Sequence, residues 1–137
     1  MRAPDTDPTM TLTALRFVLA LLSCWFALTV AAAEPPAIAK REITHLLDYL
    51  EHSGCEFSRN GTWYPTPEAR THLEKKYAYL ADKDMIATAE DFIDRGATES
   101  SMSGKPYAVR CAGSEAIPSR QWLREELDRY RSSHPTP

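Results

Sequence analysis

The sequence is poor in cysteine: three in 137 residues, with no Cys-x-x-Cys pair and no Cys/His cluster. That absence removes zinc ligation and dithiol redox chemistry, which need closely spaced thiolates or imidazoles. An excess of positive charge is missing too. Sixteen Lys/Arg stand against nineteen Asp/Glu, a formal net charge of −3, whereas nucleic-acid binders concentrate Lys and Arg against phosphate. No phosphate loop is present, because Ser103-Gly104-Lys105 lacks both a spaced second Gly and a Ser/Thr after the Lys. Nor is there a Ser-x-x-Lys pair, since Met102 stands three residues before Lys105. No internal repeat is visible. These gaps leave no cofactor and no metal to expect.

What is there begins with a leader. Phe17 to Val30 is uncharged and apolar, preceded by Arg16 and followed by Ala31-Ala32-Ala33. The run is shorter than the ~20 residues of a transmembrane helix, and a basic flank, an apolar run and a small-x-small site make a secretory signal peptide. Cleavage is expected between Ala33 and Glu34, leaving residues 34–137 as one mature domain with a frayed tail over 132–137 and no stable membrane anchor. Met10 offers a second start with a cleaner basic region. A lipobox-like reading of Leu21 to Cys24 and a retained anchor are the competing alternatives.

Export also settles the cysteines. Cys24 leaves with the leader, so Cys55 and Cys111 remain as an even pair in an oxidising compartment. A bridge between them closes a loop of about 56 residues, worth about 4 kcal/mol in the chain-entropy account. Two buried free thiols are the alternative.

The mature chain reads as helices around one hairpin. Cys55 to Tyr64 gives two short strands joined by Asn60-Gly61, the pair that best tolerates the positive φ of a type I′ turn. Before it, Ile43, Leu46, Leu47 and Leu50 form an apolar helical stripe ending near Ser53-Gly54. His45, Asp48 and His52 share the other face of that helix, which reads as solvated rather than as a metal site. After the hairpin, Thr66-Pro67-Glu68 predicts a helix start with Thr66 as N-cap. That helix reaches about Leu80, with His72 and Lys76 as surface residues near its apolar boundary. Thr88 and Asp91 predict a capping box for a short helix ending at Gly96. Ala97 to Pro106 is a loop, Tyr107 to Cys111 a strand, Ala112 to Ile117 a loop, and Arg120 to Arg131 a last helix. The fold class expected is therefore α+β: four helices packed on a small antiparallel sheet of three strands.

The order of motifs is F-x-R-N-G-x-x-Y at Phe57 to Tyr64, E-A-x-x-H-L at Glu68 to Leu73, A-E-D-F-I at Ala89 to Ile93, and S-S-x-S-G-K-P-Y at Ser100 to Tyr107. It resembles the YfeK-like family of small periplasmic proteins of Gram-negative bacteria, over about Leu46 to Leu127. The resemblance implies a periplasmic location and a single small domain. It brings no reaction, and the disulfide does not rest on it.

Three functional readings follow. The first is a non-catalytic binding or interaction module whose surface joins the hairpin turn to the Ser-rich loop: Arg59, Asn60, Tyr64, Ser103, Lys105 and Tyr107. These supply the mixture of polar donors and aromatic bodies common at recognition sites. Its partner would be a periplasmic protein or an envelope ligand, not nucleic acid. The second is a cell-envelope hydrolase or transferase with Ser101 or Ser103 as nucleophile and Lys105 or His72 as base, which needs those groups within hydrogen-bond reach. The third is a passive envelope protein whose motifs serve folding alone.

Overall fold

Helix α1 spans Ala37–His52 because its apolar positions recur with helical spacing and no Gly or Pro interrupts them. Ile43, Leu46, Leu47 and Leu50 are all buried, and each contributes about 1.5–3 kcal/mol relative to an exposed side chain. Truncating Leu46 to Ala would cost about 2–5 kcal/mol through lost transfer energy and the cavity left behind. These coordinates come from a computed structural model, which describes residues 33–135. All of the predicted signal peptide except Ala33, including the Met10 start and Cys24, lies outside the described residues.

The hairpin follows directly. Strands β1 (Glu56–Arg59) and β2 (Thr62–Pro65) pair antiparallel, with Phe57 opposite Tyr64 and Arg59 opposite Thr62. Asn60 and Gly61 both take positive φ, 53° and 84°, as the predicted type I′ turn requires. Helix α2 (Thr66–Asp82) starts one residue earlier than expected, with Pro65 in the cap position. Thr66 is not the cap. Its hydroxyl donates to the Glu51 carbonyl at 3.2 Å, and the side chain is buried against the last turn of α1.

Helix α3 (Ala89–Gly96) opens with the predicted capping box: the Asp91 N–H donates to Thr88 Oγ1, and the Thr88 N–H donates back to Asp91 Oδ2. Gly96 closes this helix for a packing reason rather than through a left-handed turn. A Cβ there would lie 3.1 Å from the Phe92 ring and 3.4 Å from Leu80, so Gly lets α3 sit against α2.

Strand β3 (Ala108–Arg110) pairs antiparallel with β1, Phe57 opposite Val109. The residues flanking this register are Cys55 and Cys111, which form the expected disulfide with Cα atoms 4.2 Å apart. The sheet carries one strand more than the three expected. Ile117–Pro118 forms β4, opposite Ala108 and Val109, giving the order β2-β1-β3-β4. Sequence reasoning places Ile117 in a loop because two residues ending in Pro carry no alternation; edge position alone makes the Pro acceptable. Helix α4 (Ser119–Ser133) then returns, burying Trp122, Leu123 and Leu127. It passes the expected end at Arg131, and the Ser132 hydroxyl donates to the Asp128 carbonyl at 2.8 Å.

The described residues thus form one α+β unit of four helices and a four-stranded antiparallel sheet. One sheet face, with Phe57 and Val109 buried, joins the helices in the core. The other face is partly exposed and carries Trp63 beneath Arg110, which also pairs with Glu56 at 2.6 Å.

Candidate functional site

Pairing of β1 with β3 brings the hairpin turn and the Ser-rich loop to one end of the sheet. The Ser103 hydroxyl donates to Asn60 Oδ1 at 2.7 Å, and the Lys105 N–H donates to Ser103 Oγ at 3.3 Å. The loop closes on itself through Ser100, whose carbonyl accepts from Gly104 N at 2.8 Å and whose N–H donates to the Lys105 carbonyl. Forty-three residues of sequence therefore separate two side chains that touch.

Beside this junction, five side chains from the hairpin, α2 and the residue before β3 form a connected group. Arg59 Nη1 donates to His72 Nδ1 at 2.8 Å, and its guanidinium lies 5.2 Å from the centre of the Tyr64 ring. Guanidinium has no acceptor and does not lose its charge. His72 Nδ1 must therefore be unprotonated, which puts the proton on Nε2. That N–H donates to Tyr107 Oη at 3.0 Å. Lys76, one turn further along α2, donates to the same oxygen at 3.3 Å and to the Glu99 carbonyl at 2.8 Å. Its ammonium also sits 4.9 Å from the Tyr107 ring centre.

The electrostatics agree with this geometry. Burial first, then the charges of Arg59, Lys76 and Lys75, push His72 down to about 4. It is a neutral imidazole at pH 7. Burial also raises Tyr107, keeping it a phenol, and lowers Lys76 from the ordinary lysine value.

The group borders two shallow hollows. One, about 260 Å³, lies between the hairpin and α2 and is lined by Arg59, Tyr64, Glu68, Ala69, His72 and Lys75 among others. The second, about 210 Å³, shares His72 and Lys75 and continues to Lys76, Tyr79, Arg95 and Ser101.

The pairing of charges separates this region from the rest. Among the described residues, Lys40, Arg70, Lys83, Arg95, Arg110, Arg120, Arg124, Arg129 and Arg131 each have a carboxylate within 4 Å. Arg59, Lys75, Lys76, Lys105 and Arg41 do not. Three of these five border the two hollows, and Lys105 stands on the adjoining loop. A larger cleft of about 620 Å³ between α1 and α4 contains Arg41 and Arg131, but there Arg131 is held by Glu42 and Glu90.

Of the six binding residues read from sequence, Arg59, Tyr64 and Tyr107 belong to the connected group. Asn60 and Ser103 fasten the two loops to each other. The Lys105 ammonium has no hydrogen-bond or ion-pair partner among the described residues. His72 and Lys76 are not the free surface pair expected; their i, i+4 spacing at the apolar boundary of α2 was the available signal, and only β3 shows what they meet. The serine–base geometry is not assembled: Ser103 turns to Asn60, and both His72 nitrogens are occupied by Arg59 and Tyr107. Ser101 borders the second hollow with His72 and Lys76 without a hydrogen bond to either.

On the His45, Asp48 and His52 face, Asp48 and His52 are exposed as expected, and only His45 is half-buried. His45 donates to Glu126 at 2.6 Å and Asp48 accepts from Arg70, so the three form no common ligand set. No group of three metal-ligating side chains occurs among the described residues.

Residues 37–131 match DUF5329, described as a family of unknown function. The chain belongs to this family. It is also similar to the uncharacterized protein YfeK of Salmonella typhimurium, 45 % identical over 51 residues, or 37 % of this chain and 41 % of the relative. The match thus spans about two fifths of that relative's length. The YfeK-like resemblance read from the motifs is borne out. No solved structure matches. The DUF5329 segment runs from the start of α1 almost to the end of α4, so it includes every residue of the connected group. No described helix is long and apolar enough to cross a membrane, and the Cys55–Cys111 bridge suits an oxidising compartment.

Proposed function

We propose that this DUF5329 chain is an exported, periplasmic binding module without catalysis, and that the hollow between the hairpin and α2 takes an anionic group of its ligand or partner. The observation that supports this most is the gathering of unpaired cations. A chain of net charge −3 pairs most of its Lys and Arg, yet Arg59, Lys75 and Lys76, which border two adjoining hollows, have no carboxylate within ion-pair distance among the described residues. An anion entering there meets a guanidinium whose orientation is fixed by His72 and the Tyr64 ring. Pre-orientation lowers the entropy lost on binding, and the planar donor fork suits a carboxylate or phosphate. Neutral His72 adds no charge of its own at pH 7. Its role is to hold Arg59 and to relay that constraint to Tyr107. The leader and the disulfide support export.

The test is a titration of the protein with acetate, inorganic phosphate and sulfate, followed by NMR at the His72 ring and the Arg59 side chain. Saturable shifts with at least one anion, lost in Arg59→Gln, are expected. A flat response to all three, or one that Arg59→Gln leaves intact, would sink the reading. N-terminal sequencing of protein from the periplasmic fraction should begin at Glu34.

A further inference from the structure

The hollow beside Arg59 does not end at His72. His72 and Lys75 also wall the second hollow, which continues along α2 to Tyr79 and is flanked by Lys76 and Arg95. With a rise of 1.5 Å per helical residue, His72 and Tyr79 lie roughly 10 Å apart along the axis. Cations therefore stand along the track: Arg59 at the first hollow, Lys75 on the wall shared by both, Lys76 beside His72 on the Tyr107 hydroxyl, and Arg95 at the second hollow. Tyr79, which lines the second hollow, is 63 % exposed and offers an aromatic surface to a ligand lying along the track.

Arg95 is loosely held. Its Nε stands 3.8 Å from Asp91 Oδ1, while the other Asp91 oxygen accepts the Ala87 and Thr88 N–H groups in the capping box. A second carboxylate could draw Arg95 away without dismantling the helix start. At the opposite end, Glu68 borders the first hollow. A carboxylate there repels a continuous polyanion but leaves room for discrete, spaced acids.

Resting on the anion-binding reading above, we infer that the ligand is an extended acidic peptide that places one carboxylate at Arg59 and a second, three residues along, at Arg95. The spacing carries the assignment. In a β-strand, residues i and i+3 point to opposite faces. A polyproline II segment has three residues per turn and rises 3.1 Å per residue, so i and i+3 share a face about 9 Å apart. That is close to the roughly 10 Å of α2, from His72 to Tyr79, along which the two hollows follow one another. Aromatic-lined grooves are also the usual seat of such segments, and Tyr64 and Tyr79 provide one ring for each hollow. The hollows are too small for a helix to enter but suit single side chains.

Three capped peptides test this against protein purified from cells expressing the full chain, with its disulfide formed: Ac-Glu-Pro-Pro-Glu-NH2, Ac-Glu-Pro-Pro-Gln-NH2 and Ac-Pro-Glu-Glu-Pro-NH2, each titrated by NMR. The spaced di-acid should bind at least tenfold more tightly than the other two. Arg95→Gln should reduce it to the level of the single acid while leaving the single acid unchanged. Arg59→Gln should remove binding of all three. Equal affinity for the spaced di-acid and the single acid, or indifference to Arg95→Gln, overturns the extended ligand and leaves the anion site standing. Binding of inorganic phosphate with no peptide response does the same. Absence of any response, from peptides and inorganic anions alike, overturns both.

Discussion

Two histidines on neighbouring helices meet opposite chemistry. His45 of α1 donates to the Glu126 carboxylate and stacks on Tyr130 at 4.1 Å. Around it Arg129 takes the other Glu126 oxygen, and Arg131 grips Glu42 and Glu90 together. Glu42 and Glu126 are buried, so their charges need these partners. His72 of α2 meets only donors and a phenol: Arg59, Lys76 and Tyr107. The first region neutralises its charge from within, as a packed helix interface must. The second holds positive charge in fixed positions with no carboxylate in ion-pair contact with Arg59 or Lys76 among the described residues. Charge pairing, rather than residue type, distinguishes the structural end from the candidate site.

Four changes would break or sharpen this contrast. Replacing Cys55 and Cys111 together by Ser acts on both regions, because the bridge ties β1 to β3 across 56 residues. It should lower the unfolding free energy by about 4 kcal/mol, read from the urea midpoint. Arg131→Ala acts on the α1–α4 region alone. It leaves buried Glu42 without its partner and should cost about 2 kcal/mol, below the ~3–5 of a fully buried pair because the guanidinium is 41 % exposed. Anion titration at the His72 ring should not change in this variant; if it does, the two regions are coupled and the contrast fails.

Acid should act on the second region through His72. Its folded value of about 4 lies below the ordinary 6.5, so the unfolded chain binds the proton more readily between those values. The stability it contributes is complete above about pH 6.5 and lost progressively as pH falls toward 4. Below that the imidazole is charged in both states, and its bond from Arg59 cannot form, since both ring nitrogens are donors. Comparing urea midpoints from pH 7 to pH 4 with those of His72→Gln isolates this slope. A slope of the same size in the variant would assign it to other groups. The smallest change in stability belongs to Arg59→Gln, a half-buried position whose lost bond to His72 is expected to cost about 1 kcal/mol. The same variant should nevertheless lose anion binding, the reverse of Arg131→Ala. If Arg59→Gln unfolds the protein, Arg59 is a structural residue and the site reading is wrong.

Local pattern alone decided much of this molecule. The α1 stripe, the Asn60-Gly61 turn, the Thr88–Asp91 capping box and the disulfide pair were legible because each depends on residues close in sequence or on simple counting. Arg59, Tyr64 and Tyr107 could also be singled out, since their residue types exceed what tight turns require. Tertiary structure decided the remainder. β4 exists only because β3 offers it an edge. Thr66 gives up a capping role because α1 ends where its hydroxyl can reach the Glu51 carbonyl. His72 and Lys76 become part of a site because β1–β3 pairing sets Tyr107 over α2. His45 leaves the solvated face because α4 delivers Glu126 to it. For Thr66, Lys76, His72 and His45 the deciding partner lies 15 to 81 residues away, and short-range periodicity carries no information about which distant group will arrive.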